Sequence, residues 1–198
     1  MSDTEKKVPL RVMTPPAILS YPHLFEPVAG PDGGEPKYSA TFIFPKGTDL
    51  AVLKAAAMAA GRAKWGAKFE EGLRNGSRKF PFRTDVEEKG YPEGSTFFTA
   101  RSKQAPGLAS RYKGPNGKAT PITKEQQVPG NAGELYAGCM VRASLVAFAY
   151  DNVSKGVTFA LNNIQKLDEG KRLDNRRAAE DEFTDNLSDE PASLDDVL

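Results

Sequence analysis

Two neighbouring segments of this chain alternate between apolar and more polar residues with a period of two. In residues 136–150 the side chains on the apolar face are Val141, Ala143, Leu145 and Ala147. In residues 156–164 they are Val157, Phe159 and Leu161. This period is typical of half-buried β-strands, and the short sequence DNVSKG between the segments is typical of a hairpin connection. Any fold of this chain must therefore accommodate a long β-hairpin within a sheet.

Three further segments have the same extended character. Residues 37–44 (KYSATFIF) alternate cleanly, and residues 95–103 (STFFTARSK) have the composition of a strand. Residues 8–19 predict a first strand, although three prolines in it favour an edge or a bend. One alanine-rich helix is predicted over residues 50–64, capped by Thr48 or Asp49. About five strands and one or two helices predict a mainly-β fold, a small closed or partly closed barrel.

The 198 residues suffice for one domain with appendages. We expect a flexible N-terminus over residues 1–7, a folded domain over 8–173 and a disordered tail over 174–198, which has too few apolar groups to offset its ordering entropy. Residues 26–36 are rich in glycine and proline and predict a loop. Residues 105–133 predict a second, unusually long loop, and such loops are commonly functional or disordered.

Charge is distributed very unevenly along the chain. Residues 179–198 hold eight acidic residues and no Lys or Arg, which leaves residues 1–178 with a net charge of +9. Between residues 94 and 124 there is no acid, and the basic residues are Arg101, Lys103, Arg111, Lys113, Lys118 and Lys124. A basic body with such a segment is expected to bind polyanions.

Several classes of protein are excluded or disfavoured by composition. No segment is long and apolar enough to span a bilayer, and the N-terminus does not resemble a secretory signal, so no membrane partner and a cytoplasmic location are expected. Cys139 is the only cysteine and His23 the only histidine, so neither a disulfide nor a zinc site is expected. No catalytic motif is found, and we expect no enzyme activity, no metal and no cofactor.

One enzymatic alternative stays open. A metal-dependent nuclease could use clustered carboxylates, and Asp85, Glu87 and Glu88 form the only such cluster in the basic body. A local string of this kind is more often a solvated turn. A virion or assembly protein with an acidic tail is a second alternative.

The remaining pattern is that of a nucleic-acid interface. Single-stranded nucleic acid is bound where cations follow the phosphates and aromatic rings stack on the bases. In residues 95–103, alternation places Phe97, Arg101 and Lys103 on one face. If the cations face solvent, Phe97 does too, and a stacked base would cover it. The alternative, a bulge that turns Phe97 into the core, is left open.

A second group of the same kind lies in the long loop. Arg111 and Lys113 flank Tyr112, which has little core to enter there. We expect Arg101, Lys103, Arg111 and Lys113 to contact phosphates, and Phe97 and Tyr112 to stack on bases. Trp65 lies between Lys64 and Lys68, but at the end of a helix a packing role is favoured.

The acidic tail ends in an apolar pair, and its last four residues are Asp195, Asp196, Val197 and Leu198. Acids next to apolar side chains suit docking into a basic, hydrophobic pocket on another protein. They also suit competition with DNA for the basic body. We expect both roles in addition to solubilisation.

The sequence resembles a known family. The stretches RSKQAP (residues 101–106), LYAGCMVRASLVAFAY (135–150) and KGVTFALNNIQKLDEGKRL (155–173), followed by an acidic end, are similar to the bacteriophage single-stranded DNA-binding proteins once filed as a domain of unknown function. The resemblance covers about residues 8–173. It implies an OB-fold core with a single helix, although here the helix is predicted after the second strand instead of the third.

The resemblance also implies a function. It implies a protein that coats and protects single-stranded DNA during phage replication and recombination in the cytoplasm of the bacterial host. The acidic C-terminus would recruit replication proteins such as a polymerase or helicase. Duplex DNA or RNA as the ligand, and a homo-oligomeric state, are left open by the sequence.

Overall fold

A computed structural model describes residues 10–30 and 33–173 of the chain. The predictions made for residues 1–7 and 174–198 lie outside the described residues. The strands are β1 Arg11–Met13, β2 Ala17–Val28, β3 Lys37–Phe44, β4 Thr96–Ser102, β5 Gly107–Lys113, β6 Ala119–Pro121, β7 Met140–Asp151 and β8 Lys155–Asp168. The helices are α1 Ala51–Trp65 and α2 Lys68–Arg74, and 3₁₀ turns occupy Glu87–Lys89 and Lys124–Gln126.

The eight strands form one sheet in the order β1-β7-β2-β3-β4-β8-β5-β6. An additional pairing of β7 with β8 brings β7, β2, β3, β4 and β8 into a ring. The ring is partial, since β4 and β8 are joined in parallel by the single pair Arg101–Ala160. The long antiparallel pairing of β7 with β8 is the hairpin that the alternating segments predict.

The mainly-β fold with two helices is confirmed, and α1 follows the second strand of the ring as predicted. The number of strands differs from the prediction. Residues 8–19 contribute β1 and the start of β2, separated by a break at Pro15 and Pro16. Residues 105–133 include β5 and β6 in addition to loop: β5 pairs with the distant strand β8, and β6 pairs with β5.

The core lies between the inner face of the ring and helix α1. The apolar faces predicted for β3, β7 and β8 are fully buried there, including Phe42, Phe44, Leu145 and Phe159. Helix α1 adds Leu53 and its alanines and packs against β7 and β8. No helix in the described part of the chain is long and apolar enough to cross a membrane.

A small second cluster covers one end of the outer face of β3 and β4. Ile43 and Phe97 lie opposite each other on these strands, and the segment of residues 83–91 folds over them. Val86 and Tyr91 from that segment complete the cluster. The outer face of the two strands is therefore closed at this end and open at the other.

Candidate nucleic-acid interface

The open end of the outer face of β3 and β4 is polar. In the regular register between the strands, Thr41 lies opposite Thr99 and Ser39 opposite Arg101. The two threonine hydroxyls share a hydrogen bond of 2.7 Å. These side chains form a floor that offers hydroxyl and guanidinium groups to a ligand.

Two cavities lie on this floor. One of about 490 Å³ is bounded by Tyr21, His23 and Val28 of β2 and by residues 29, 30, 34 and 35 between β2 and β3. The other, of about 770 Å³, is bounded by residues 79–83 and by the β7–β8 hairpin. The two share Lys37, Thr99 and Arg101, so they form one continuous depression, which we call the groove.

The position of the groove matches the surface with which OB-folds bind oligonucleotides. In that fold the ligand lies over the second and third strands, between the loop that joins strands one and two and the loop that joins strands four and five. The corresponding elements of the ring here are β3 and β4, the connection between β2 and β3, and the hairpin connection at residues 152–154.

The lining of the groove is strongly basic. Its cations are Lys37, Lys79, Arg83, Lys89, Arg101 and Lys103. The only carboxylate among the described lining residues is that of Glu35, which pairs with Lys103 at 2.6 Å. The hydrogen bond from Lys103 lowers the pKa of Glu35, so this carboxylate is ionised at neutral pH. The groove as a whole therefore favours an anionic ligand.

Arg101 and Lys103 both line the groove, although Lys103 follows the last residue of β4, and their contact with phosphates stays a prediction. Arg101 is exposed and forms no ion pair with any described residue. Lys103 is engaged with Glu35, and both side chains are exposed, so a phosphate could replace that carboxylate at little cost.

The prediction that the Phe97 ring is exposed is wrong. The alternation in β4 has no bulge, and Phe97 lies on the same face as Arg101, but the residue is only 3% exposed. The ring packs edge-on against Tyr91 at 5.1 Å, and the guanidinium of Arg83 lies 5.2 Å from its centroid. Segment 83–91 thus occupies the position in which a base would stack.

Arg111, Tyr112 and Lys113 lie on β5, outside the lining of the groove. Arg101 lies opposite Ala160 of β8, whereas Arg111 donates to the carbonyl of Leu167, about 23 Å farther along that strand. The two predicted groups are therefore at separate places on the surface.

The Arg111 group is partly engaged within the protein. Arg111 pairs with Asp168 at 3.2 Å, and its guanidinium lies 5.2 Å from the Tyr112 ring centroid. The hydrogen bond to the Tyr112 hydroxyl and the charge of Asp168 raise the pKa of Arg111. Tyr112 is 52% exposed, so the expectation of an exposed ring is confirmed while its contact with DNA stays a prediction.

Several lining residues carry no local signal that would identify them in the sequence. Those that matter most are Tyr21, Lys37, Lys79, Phe148 and Tyr150. Tyr21 and Phe148 are exposed, with 58% and 42% of their surface accessible. For all of them except Lys79 the available signal was positional, because they lie in or within five residues of the two connections, residues 26–36 and DNVSKG, that the sequence does predict.

The nuclease alternative finds no support in the described residues. They contain no group of three or more His, Cys, Asp or Glu side chains that could hold a metal ion. Asp85 pairs with Arg83, and the hydrogen bond from Arg83 lowers the pKa of Asp85. Cys139 is buried, and Trp65 stacks on Phe69 at 5.7 Å, which is the packing role expected of Trp65.

Comparisons with known proteins agree with this geometry. The model of the family described as the single-stranded DNA-binding protein of Enterobacter phage Enc34 matches residues 10–194. A relative named putative protein p50, from Acyrthosiphon pisum secondary endosymbiont phage 1, is 32% identical over 177 residues, which are 86% of this chain and 90% of that protein.

Solved structures share the fold. The single-stranded DNA-binding protein of bacteriophage Enc34, in complex with single-stranded DNA, superposes with a TM-score of 0.62 at 23% identity, over 85% of this chain and 99% of that one. The single-stranded DNA-binding protein gp2.5 of bacteriophage T7 superposes with a TM-score of 0.55 at 13% identity, over 91% and 96% of the two chains.

Proposed function

This chain belongs to the family of single-stranded DNA-binding proteins described from Enterobacter phage Enc34, and we propose that it binds single-stranded DNA in the groove over β3 and β4. The observation that carries the proposal is the combination of exposed cations and exposed rings around one open, polar floor. Phosphates pair with the cations, and bases stack on the rings. The protein does this without catalysis.

Within the groove, Arg101 and Lys103 contact phosphates. Arg101 is central, because it lines both cavities and forms no ion pair with any described residue that a phosphate would have to displace. Lys37 shares that central position. A strand that runs from one cavity to the other must pass these two side chains.

Arg111, Tyr112 and Lys113 form a second contact surface on β5. Tyr112 and Lys113 are both exposed. A strand that leaves the groove reaches this surface after about 23 Å, the distance estimated along β8. The second surface extends the binding site and is not required for binding in the groove.

We propose that the protein coats and protects single-stranded DNA during phage replication and recombination, in the cytoplasm of the bacterial host. Phosphate contacts and base stacking do not distinguish one base sequence from another. Such contacts suit a protein that must cover any exposed single strand. The acidic residues 179–198 compete with DNA for the basic body. The terminal Asp195, Asp196, Val197 and Leu198 recruit replication proteins such as a polymerase or helicase.

The test is a titration of a fluorescent oligo(dT) with the full chain, followed by anisotropy and repeated with a hairpin duplex and an RNA oligonucleotide of equal charge. We expect the single-stranded DNA to bind more tightly than the duplex. Its log affinity should fall with log salt by about 0.7 for each phosphate contacted. Equal binding to the duplex, or an affinity independent of salt, would contradict the proposal.

A further inference from the structure

Strand β2 contains one extra residue where it borders the groove. Ser20 lies opposite Thr41 of β3 and His23 lies opposite Ser39, so three steps along β2 are matched by two along β3. This irregularity is a β-bulge, and bulges commonly turn a side chain away from the direction that regular pleating would give it. The residues of the bulge are Tyr21 and Pro22.

Tyr21 adopts a costly backbone conformation at this bulge. Its φ is +44°, the only positive φ at a non-glycine residue in the described part of the chain. This region disfavours bulky side chains, and the proline that follows restricts Tyr21 further. Glycine would adopt this conformation freely, so the backbone alone gives no reason for tyrosine here.

A buried hydrogen bond next to Tyr21 holds the strained backbone in place. The neighbouring Ser20 is buried, and its hydroxyl shares a hydrogen bond of 3.0 Å with the hydroxyl of Tyr91. Tyr91 belongs to the same cluster as Phe97, which closes the other end of the outer face. The fold therefore holds the backbone of the bulge through buried contacts that do not involve the Tyr21 ring.

Stacking and hydrogen bonding among the described residues do not account for the Tyr21 side chain. It is 58% exposed, and among the described residues it stacks on no other aromatic ring and its hydroxyl makes no hydrogen bond. It forms a wall of the 490 Å³ cavity, whose lining also includes Lys37 and Arg101. An exposed ring that lines the same cavity as two cations, on a backbone that disfavours it, points to a ligand in that cavity.

We propose that Tyr21 is a stacking platform for one unpaired base in the 490 Å³ half of the groove. The base lies against the ring, and its flanking phosphates pair with Lys37 and Arg101. The inference rests on the proposed function. It assigns to Tyr21 the base-stacking role that the sequence pattern assigned to the buried Phe97. The bulge fixes the ring before the strand arrives, so less ordering is needed on binding.

The test compares two ligands and four variants of the full chain. The ligands are oligo(dT) and an oligonucleotide of equal length whose central nucleotides are abasic, so that its phosphates remain and its bases do not. The variants are Tyr21→Gly, Tyr21→Leu, Tyr21→Phe and, as the control for a new glycine at an exposed site outside the groove, Val128→Gly.

We expect Tyr21→Gly and Tyr21→Leu to bind oligo(dT) about tenfold more weakly, while Tyr21→Phe and Val128→Gly bind it like the unmodified chain. On the abasic oligonucleotide, all the variants should bind alike. Tyr21→Gly should not lower the melting temperature, because it relieves the strained φ. Tyr21→Leu keeps the strained backbone and a bulky side chain. A loss of affinity for oligo(dT) in this variant would therefore be due to the missing aromatic ring.

Two results would overturn the inference and leave the proposed function standing. One is unchanged binding of oligo(dT) by Tyr21→Leu and Tyr21→Gly. The other is an equal loss on both oligonucleotides, which would mean that Tyr21 shapes the groove without stacking. If the unmodified chain fails to bind oligo(dT), the proposed function itself fails and the inference fails with it.

Discussion

Arg101 is the residue at which the electrostatics of the groove can be measured most directly. Replacing Arg101 by alanine removes one cation that has no ion-pair partner among the described residues. We expect Arg101→Ala to weaken binding of oligo(dT) by about fivefold, or about 1 kcal/mol, and to reduce the slope of log affinity against log salt by about 0.7. Anisotropy titrations at four or five salt concentrations give both numbers.

Arg74→Ala is the matched control for that change. Arg74 is an exposed arginine at the end of α2, absent from the lining of the groove and away from β5 in the sequence. Its replacement lowers the net charge of the protein by the same amount as Arg101→Ala. Because the residue lies outside the groove, the slope of log affinity against log salt should change very little. Equal changes in the two variants would mean that net charge, and not the groove, determines binding.

Cys139 gives a prediction about pH and stability. Burial raises the pKa of its thiol from 9.0 to about 11. Below pH 9 the thiol is protonated in the folded and unfolded states alike, and between pH 9 and 11 only the unfolded chain releases the proton. The free energy of unfolding should therefore fall across this window, by roughly 2–3 kcal/mol from this group.

Urea unfolding at several pH values between 7 and 11 measures this fall, with Cys139→Ala as the reference that lacks the thiol. The alanine variant is expected to start from a lower stability, because it loses volume in the core. The difference between the two proteins should shrink as the pH rises. A difference that stays constant to pH 11 would show that the thiol ionises equally in both states.

Phe97 shows what alternation in a single strand can and cannot predict. The period of two correctly places Phe97 and Arg101 on one face of β4. Exposure on that face depends on whether another segment folds over it, and residues 83–91 cover one end only. Such coverage is a long-range contact, so a local pattern gives the face of a residue without its burial.

At the scale of elements, the contact between α1 and α2 is unusually close. A Cβ atom at Gly61 of α1 would overlap the ring of Phe69 in α2. That ring is fully buried and stacked on Trp65 at 5.7 Å, so it has little room to move. Glycine is therefore required here although it weakens the helix.

We expect Gly61→Ala to lower the stability of the protein. Alanine is favoured over glycine within a helix by about 1 kcal/mol, whereas overpacking costs about 1–3 kcal/mol. The net loss should be up to about 2 kcal/mol in denaturant unfolding, with Ala63→Gly measuring helix propensity at an exposed site of the same helix. If Gly61→Ala stabilises the protein, α2 must be able to shift away from α1.

The elements that the sequence predicts well are those whose signal is local. The β7–β8 hairpin and β3 have a period of two, and α1 is rich in alanine, so each of these elements can be recognised from its own residues. Strand β5 has no such signal. It forms because residues 107–109 pair in parallel with β8, more than fifty positions away, which no local pattern within 105–133 reveals.

At the scale of the whole molecule, the last described residues lie at the end of the outer face of β3 and β4 that residues 83–91 cover. Leu173 packs against the cluster of Ile43, Val86, Tyr91 and Phe97, and its N–H donates to the carbonyl of Ala137 at 2.9 Å. The residue before it, Arg172, pairs with Glu134 at 2.7 Å. The chain therefore leaves the described body next to the segment that borders the groove.

This exit bears on how an acidic segment could compete with DNA. The 25 residues that follow Leu173 can span at most about 90 Å, which is ample to reach the groove from so near a start. A segment tethered in this way acts at an effective concentration of the order of millimolar. Even a weak attraction to the cations of the groove would then reduce the affinity for DNA measurably.

The corresponding prediction uses the full-length chain with the eight acids of residues 179–198 changed to their amides, which keeps length and shape while removing charge. We expect this variant to bind oligo(dT) about threefold to tenfold more tightly at low salt, with the gain fading as salt screens the tail from the groove. Combined with Arg101→Ala, the gain should shrink, because the tail and the strand compete for the same cations. If the combined variant keeps the full gain in affinity, the tail must repel DNA from a place other than the groove. If the amide variant binds DNA no more tightly than the unmodified chain, the tail does not compete with DNA, and only its proposed recruitment of partners is left.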